Sequence, residues 1–157
     1  MDAETFDEAE FYRIVVESGA RALLIGRRAV IAWGVPVMTA DYDFWIAGDD
    51  AAVFNRALAS LDMIPSREPE AARKVGRYVL ENGEHVDVLV ARAVSTIDGE
   101  HVRFDEVWDR RELLEVAPGV QLAVPCIDDL IRTKRVAARA KDAEDIRLLR
   151  ALKESLR

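Results

Sequence analysis

The feature that most constrains the fold is a short run, residues 41–46, in which apolar and acidic side chains alternate. Every second position is apolar, while Asp41 and Asp43 occupy intervening positions. Successive side chains of a strand point to opposite faces, so this run predicts a strand with one face in the core and both carboxylates on the other. Trp45 shares the carboxylate face, and we expect a C-terminal helix to cover it.

A third acid occupies the same kind of position in a later apolar run. Residues 85–90 carry valine at alternate positions, and Asp87 lies between two of these valines. Asn82-Gly83 predicts a two-residue turn that joins this strand to a strand over residues 75–80. If the two acid-bearing strands are neighbours, three carboxylates share one solvent-facing surface.

Carboxylates gathered in this way repel one another unless a cation or solvent compensates them. Hard oxygen ligands favour Mg²⁺ or Mn²⁺, and two such ions clamp the attacking and leaving oxygens of a nucleotidyl transfer. The alternative is that Asp41, Asp43 and Asp87 are solvated positions on the open face of a sheet. Because acids are depleted in strands, three of them in two apolar strands favour a site.

The rest of the chain is predicted as a single domain over residues 1–157, with a core at about 20–124 and closing helices at about 126–156. Helices are expected over 6–18, 27–33 and 50–61, a break at 65–69, and strands over 102–108 and 113–124. Two amphipathic patterns predict closing helices over 128–139 and 144–156, the second capped by Asp142. This order predicts an α/β (α+β) fold in which helices flank a small mixed sheet.

Composition narrows the functional classes. The chain has 157 residues with a net charge of −7, and its sequence pI is about 4.9. Broad coating of nucleic acid needs a basic surface and is not expected. No apolar run approaches the roughly 20 residues of a membrane span. Cys126 is the only cysteine, which excludes an internal disulfide. We therefore expect a cytoplasmic protein without a membrane partner.

Several segments together resemble the nucleotidyltransferase superfamily, and its small bacterial abortive-infection and toxin-type members in particular. In chain order they are Leu24-Ile25-Gly26 ahead of a helix, Gly34-Val35-Pro36, Thr39-Ala40-Asp41-Tyr42-Asp43, Val86-Asp87-Val88-Leu89, and the basic and acidic stretch 129–146. The resemblance implies a nucleotidyltransferase-like fold that uses a nucleoside triphosphate (NTP) and Mg²⁺ or Mn²⁺.

The resemblance also implies roles for individual residues. Asp41 and Asp43 would hold the metal ions, and Asp87 would be a third ligand or a general base. Gly26 would lie beside the triphosphate, and Lys134 or Lys141 would contact its phosphates.

One position departs from the pattern of that superfamily. Arg27 stands where the superfamily has a small Gly or Ser, which lets the backbone come close to the triphosphate. Arg27 either blocks this approach or supplies a bidentate phosphate contact. The sequence leaves both alternatives open.

A basic group near the C-terminus is the other candidate for phosphate binding. It consists of Arg132, Lys134, Arg135, Arg139 and Lys141. The alternative is a solvated helix face balanced by nearby acids, such as Asp145, which either braces a basic side chain or lies at the surface.

The first functional hypothesis is a metal-dependent nucleotidyltransferase that moves a nucleoside monophosphate to an acceptor hydroxyl. That acceptor would be an RNA end, a protein or a small molecule. The second is a catalytically degenerate fold that serves as a binding or antitoxin-like module with a partner protein. A plain structural domain is the third, and it leaves the order of the motif segments unexplained.

Overall fold

A five-stranded mixed sheet forms the centre of the molecule in the computed structural model, which describes residues 5–157. Residues 1–4, at the start of the predicted domain, lie outside the described residues. The spatial order of the strands is β1-β2-β5-β4-β3. Their bounds are β1 (Ala22–Ile25), β2 (Tyr42–Ile46), β3 (Ile64–Pro65), β4 (Arg77–Glu81) and β5 (His85–Leu89).

Two separate hairpins and seven α-helices complete the described part of the chain. The hairpins are β6 (Ala93–Ser95) with β7 (His101–Arg103), and β8 (Glu112–Ala117) with β9 (Val120–Val124). The helices are α1 (Glu8–Glu17), α2 (Gly26–Ala32), α3 (Ala51–Leu58), α4 (Pro69–Val75), α5 (Phe104–Asp109), α6 (Ile127–Lys134) and α7 (Ala140–Ser155). None of the described helices is long and apolar enough to cross a membrane. The expected architecture, a mixed sheet with flanking and C-terminal helices, is confirmed.

The pairing of β2 with β5 determines where the acids lie. These two strands run parallel and pair Asp43 with Asp87, while the other pairings in the sheet are antiparallel. Since register fixes which side chains are neighbours, the two carboxylates leave adjacent strands on the same face. The two strands that carry the acids are therefore adjacent, which the sequence alone could not show.

One face of the sheet carries the main hydrophobic core. Phe44 and Val88 are buried there, and they pack in the same cluster as Phe11 of α1 and Phe54 of α3. The aromatic rings of Phe11 and Phe44 lie 5.9 Å apart in an edge-to-face arrangement. This core covers the face opposite the carboxylates, as the alternation in β2 predicts.

A second, smaller core covers half of the other face. Trp45 is fully buried in this cluster together with Leu23, Val107 and Phe104. The indole N–H of Trp45 donates to the backbone oxygen of Ala91 at 2.8 Å. The prediction that a C-terminal helix covers Trp45 is wrong, because the helix that packs in this cluster is α5. The rest of this face, around Asp43, stays open.

Several predicted elements differ from the structure. Residues 102–108 were predicted as a strand, but α5 begins at Phe104. The break predicted at 65–69 is followed by the unpredicted helix α4. The hairpin loop between β4 and β5 has three residues, because Glu81 pairs with His85. Short elements such as α4 and α5 contain too few turns for a helical period to show.

The two closing helices also begin and end elsewhere than predicted. Helix α6 ends at Lys134 instead of 139, and α7 begins at Ala140 instead of 144. Asp142 consequently lies in the first turn of α7, where it accepts the backbone N–H of the N-cap residue Arg139 at 3.1 Å. Its capping role is therefore exerted from the third helical position and not from the N-cap itself.

The second core predicts a graded response to substitution of Trp45. Trp45→Ala should lower the free energy of unfolding by about 3–5 kcal/mol, because it leaves a cavity under α5. Trp45→Phe keeps an aromatic ring in the cluster but leaves a smaller cavity and removes the indole hydrogen bond, so its loss should be about 1–3 kcal/mol. Urea denaturation measures both. Equal losses in the two variants would contradict the importance of packing at this position.

Candidate functional site

The site is built around two carboxylates on neighbouring strands. Asp43 and Asp87 face each other across the parallel β2–β5 pair, on the open face of the sheet. The side chain of Asp87 is 46% exposed, and its Oδ1 lies 3.2 Å from Nε2 of His85. Asp43 is more deeply placed, at the floor of a cleft.

The electrostatic environment of Asp43 disfavours its ionised form. Burial, together with the negative charges of Asp87 and Asp41, raises the pKa of Asp43 to about 6, against the opposing charges of Lys134 and Lys141. A carboxyl group with this environment binds a proton or a cation more readily than a solvated aspartate does. The floor of the cleft therefore carries uncompensated negative charge near neutral pH.

Asp41 has a different placement from the other two acids. It precedes β2, is exposed, and donates its backbone N–H to Thr39 Oγ1 at 3.0 Å. It does not line the cleft, although its charge acts on Asp43. The structure thus brings two of the three expected carboxylates into one cleft and leaves the third at its border.

Gly26 allows the close approach of β1 and α2 to Asp43. Its φ is +66°, and a Cβ on this residue would overlap Asp43 Oδ2 and lie 3.0 Å from the Asp43 Cβ. A side chain here would occupy the space that the carboxylate fills. Only glycine satisfies both the backbone conformation and the contact.

The opposite wall of the cleft comes from the end of α6 and the start of α7. Lys134 lines the cleft, yet it is only 6% exposed, and its Nζ lies 2.7 Å from Oδ2 of the fully buried Asp145. Asp145 therefore braces a basic side chain, which is one of the two alternatives left open by the sequence.

Arg27 reaches the same acid from the other side. Its Nε donates to Asp145 Oδ2 at 3.3 Å, and its Nη1 donates to the backbone oxygen of Met38 at 3.1 Å. Its Nη2 lies 3.2 Å from Asp145 Oδ1, an atom that accepts no hydrogen bond. The guanidinium is thus engaged by protein groups, and Arg27 does not line the cleft.

The first turn of α7 places a further cation at the cleft. Arg139 lines it and donates from Nε to Asp142 Oδ2 at 3.0 Å. Burial acts to raise the pKa of Asp142, but its hydrogen bonds from Arg139 outweigh this effect and hold that pKa below its usual range. Lys141 is exposed and does not line the cleft, although its charge acts on Asp43.

The structure separates the basic group that the sequence places together. Lys134 and Arg139 line the cleft, whereas Arg132 pairs with Asp129 and Glu100, and Arg135 pairs with Asp98. The sequence predicts one basic surface because the predicted end of α6 lies five residues beyond Lys134, where the helix ends. Arg132, Lys134 and Arg135 are separated because their side chains leave the last turn of α6 in different directions.

The cleft has a volume of about 580 Å³ and runs across the open face of the sheet. The end near β1 holds Gly26 and Asp43, and the wall above it holds Lys134 and Arg139. The end near β4 holds Arg67 and side chains of β4. The arginine at this second end was not predicted, because it lies in the segment read as a break.

The donor set fits a divalent cation that arrives with a phosphate ligand. Among residues 5–157, no three His, Cys, Asp or Glu side chains converge closely enough to hold an ion by themselves. Mg²⁺, however, is commonly bound by one or two carboxylates together with substrate phosphates. Asp43 and Asp87 supply two hard oxygen donors on adjacent strands, and burial together with the neighbouring acids raises the pKa of Asp43, so a cation would stabilise its ionised form.

Solved structures share this arrangement of elements. The antibiotic-resistance factor ANT(2'')-Ia aligns with a TM-score of 0.63 at 14% identity, over 94% of this chain and 88% of that chain. The lincosamide antibiotic adenylyltransferase LnuA, solved with lincomycin, aligns with a TM-score of 0.64 at 12% identity, over 95% and 99%. TM1012 from Thermotoga maritima, described as a nucleotidyltransferase, gives a TM-score of 0.59 at 15% identity, over 96% and 98%.

The chain has the nucleotidyltransferase fold. At these levels of identity the similarity concerns the fold alone. It confirms, for the fold, the resemblance noted in the sequence. No family model and no curated protein sequence matches the chain. Within the nucleotidyltransferase fold, the cleft with Asp43 and Asp87 is the candidate site.

Gly26→Ala should disturb this site directly. It adds a Cβ that overlaps Asp43 Oδ2, whereas Gly34→Ala, also at a positive φ of +101°, meets nothing within 4 Å. Both variants should lose about 1 kcal/mol of stability from backbone strain. Only Gly26→Ala should also shift the titration of the Asp43 carboxyl carbon, measured by NMR. An identical Asp43 titration in both variants would contradict the close contact.

Asp43→Asn should stabilise the folded protein above pH 6. The folded-state pKa of Asp43, about 6, exceeds the unfolded value of 3.8, so the wild type loses stability as pH rises through this interval. The variant avoids this loss, and its advantage at pH 8 should reach up to about 3 kcal/mol. This advantage should vanish below about pH 4, where Asp43 is protonated in both the folded and the unfolded state.

Asp142→Asn is the matched control for this titration, because the pKa of Asp142 is lowered in the folded state. The effect on stability has the opposite sign here, because the ionised carboxylate of Asp142 stabilises the fold. Asp142→Asn should therefore be less stable than the wild type at pH 8. Denaturation series at pH 4 and pH 8 measure both variants. A destabilised Asp43→Asn at pH 8 would contradict the raised pKa of Asp43.

Proposed function

We propose that this protein is a metal-dependent nucleotidyltransferase that moves a nucleoside monophosphate from an NTP to an acceptor hydroxyl. The observation that carries the proposal is the in-register pair of Asp43 and Asp87 at the floor of a cleft whose opposite wall is cationic. Carboxylates that bind cations and cations that bind phosphates are the two components that a metal–triphosphate complex requires.

Asp43 and Asp87 are the proposed metal ligands of Mg²⁺ or Mn²⁺, with Asp41 as a further ligand at the border of the site. When bound, the ion neutralises these carboxylates and polarises the transferred phosphoryl group. Asp41 is exposed and directly precedes β2, so its side chain has the freedom to turn toward the cleft. The raised pKa of Asp43 supports this assignment, since burial and the neighbouring acids disfavour a negative charge there that a bound cation would stabilise.

The phosphates of the NTP would bind between the sheet and the wall formed by α6 and α7. Lys134 is the proposed phosphate contact, held in place by its ion pair with Asp145. Arg139 and Lys141 add positive charge near Asp43, and Gly26 keeps the backbone of β1 and α2 clear of it. Arg27 acts in this scheme as a support of Asp145 and not as a phosphate ligand.

The transfer step forms one bond and breaks one. The acceptor oxygen attacks the α-phosphorus, and the bond from this phosphorus to the oxygen of pyrophosphate breaks. In the alternative to its role as a metal ligand, Asp87 is the base that takes the acceptor proton, because it is the more exposed carboxylate of the pair. Lys134 would stabilise the negative charge that develops on the phosphates. Pyrophosphate leaves with the electron pair of the broken bond.

ANT(2'')-Ia is an antibiotic-resistance factor and LnuA is a lincosamide antibiotic adenylyltransferase, and both descriptions concern those proteins. For this chain the acceptor class remains an RNA end, a protein or a small molecule, as the sequence leaves it. A degenerate, antitoxin-like module with a partner protein is the competing proposal, and it predicts no metal-dependent binding of nucleotides.

Thermal unfolding with each of the four ribonucleoside triphosphates, with and without Mg²⁺, tests the proposed function. One triphosphate should raise the melting temperature only when Mg²⁺ is present. At 100 times its dissociation constant, a ligand of the folded state adds about 2.7 kcal/mol, which is a shift of several degrees. Asp43→Asn should abolish this shift and the incorporation of label from an α-³²P-NTP.

Asp128→Asn is the matched control, because Asp128 is an exposed acid that pairs with Lys153 and does not line this cleft. It should keep the full ligand-induced shift. If no triphosphate shifts the wild type with Mg²⁺, the enzyme proposal fails and the degenerate binding module takes its place.

A further inference from the structure

The two ends of the cleft differ in chemistry. Across the open face, the order of strands places Gly26 and Asp43 on one side of Asp87, and β4 on the other. The proposed phosphate contacts belong to the wall above Asp43. The end beyond Asp87, toward β4, is therefore the space left for the molecule that receives the nucleotide.

Two arginines line this second end of the cleft. Arg67 and Arg77 are both exposed, and Arg67 Nη1 donates to the backbone oxygen of Arg77 at 2.9 Å. Within residues 5–157, neither forms an ion pair with a carboxylate. By contrast, Arg139, which also lines the cleft, pairs with Asp142, and Arg27, which does not line it, pairs with Asp145. These two guanidinium groups thus keep their capacity to bind an anion.

The distance from Asp87 to this pair suits a small molecule. In the β4–β5 pairing, Val79 lies opposite Asp87. Arg77 precedes Val79 by two residues in β4 and therefore lies on the same face. Diagonal neighbours of this kind are about 7–8 Å apart, which a long side chain spans. An acceptor whose hydroxyl reaches Asp87 would bring a neighbouring group within reach of Arg77.

The surroundings of the arginine pair are basic and apolar. The segment 67–77 carries four basic residues and two acidic ones, in a chain whose net charge is −7. Val75 at the end of α4 is 56% exposed, and Val136 on the opposite wall is 37% exposed. Both line the cleft, as does the partly buried Val94.

We propose that this end of the cleft binds an acceptor that carries an anionic group, a phosphate or a carboxylate, close to its reactive hydroxyl and that has an apolar surface. Arg67 and Arg77 bind the anionic group, since guanidinium forks match both phosphate and carboxylate geometry. The valines contact the apolar surface. A polycationic acceptor is disfavoured by repulsion from the same two arginines. The assignment rests on the proposed function, which supplies the role of Asp87.

The test uses the ¹⁵N-labelled full-length protein, Mg²⁺ and a non-hydrolysable α,β-methylene triphosphate to occupy the nucleotide end. Inorganic phosphate is then titrated, and acetate in a separate series, at constant ionic strength. The backbone amides of Gly76 and Arg77 and the Nε–H groups of the arginines report on binding. We expect saturable shifts at these groups, and the stronger of the two anions identifies phosphate or carboxylate as the preferred group.

Variants decide whether the arginine pair is the binding site. Arg67→Gln and Arg77→Gln should each weaken the binding of the anion by about tenfold. Arg56→Gln, an exposed arginine of α3 that does not line the cleft, should leave it unchanged. Folding of each variant is checked in the same spectra.

The outcomes separate this inference from the proposed function. If the triphosphate analogue binds with Mg²⁺ but neither anion gives a saturable shift, the acceptor assignment is overturned and the nucleotidyltransferase proposal stands. Saturable shifts that persist in Arg67→Gln and Arg77→Gln also overturn it. If the analogue itself fails to bind, the proposed function fails, and the assignment of an acceptor falls with it.

Discussion

The placement of two mutually repelling carboxylates on adjacent parallel strands, one of them partly buried, is the constraint on which the arrangement of the candidate site depends. Asp43 and Asp87 are placed side by side by the β2–β5 register, and the pKa of Asp43 rises to about 6 because the site is partly buried. The surrounding structure supplies the compensation. A glycine at 26 leaves room for one carboxylate, and the cations of α6 and α7 face the pair from the opposite wall.

The core explains how the fold tolerates this repulsion. Both faces of β2 bury large side chains, with Phe44 on the side of the main core and Trp45 in the second cluster. Each buried aromatic side chain contributes on the order of a few kcal/mol, as much as it costs to keep Asp43 ionised in its partly buried, acidic surroundings. The strand therefore holds an unfavourable charge in place because the residues next to it are anchored on both sides.

Alternating hydrophobicity was enough to predict the strands that carry the acids, their buried faces and the opposite face on which Asp43 and Asp87 lie. It could not predict that these strands pair in parallel, because pairing depends on the connections between them. Helices α4 and α5 were missed since each has at most seven residues and no visible period. Position 27 was read as a phosphate ligand or an obstacle, because its partner Asp145 is 118 residues away in sequence and reachable only through the fold.

The buried carboxylate of Asp145 is shared by two cations, Lys134 and Arg27, and this sharing limits the order in which these positions can change. Loss of Arg27 leaves Lys134 and Asp145 as a neutral pair, whereas loss of Asp145 leaves two positive charges facing each other away from bulk water. If folding is to be preserved, a substitution at position 27 must therefore come before one at position 145. In related chains, an arginine at the start of α2 should accordingly occur together with an acid on α7, and the two positions should vary as a pair.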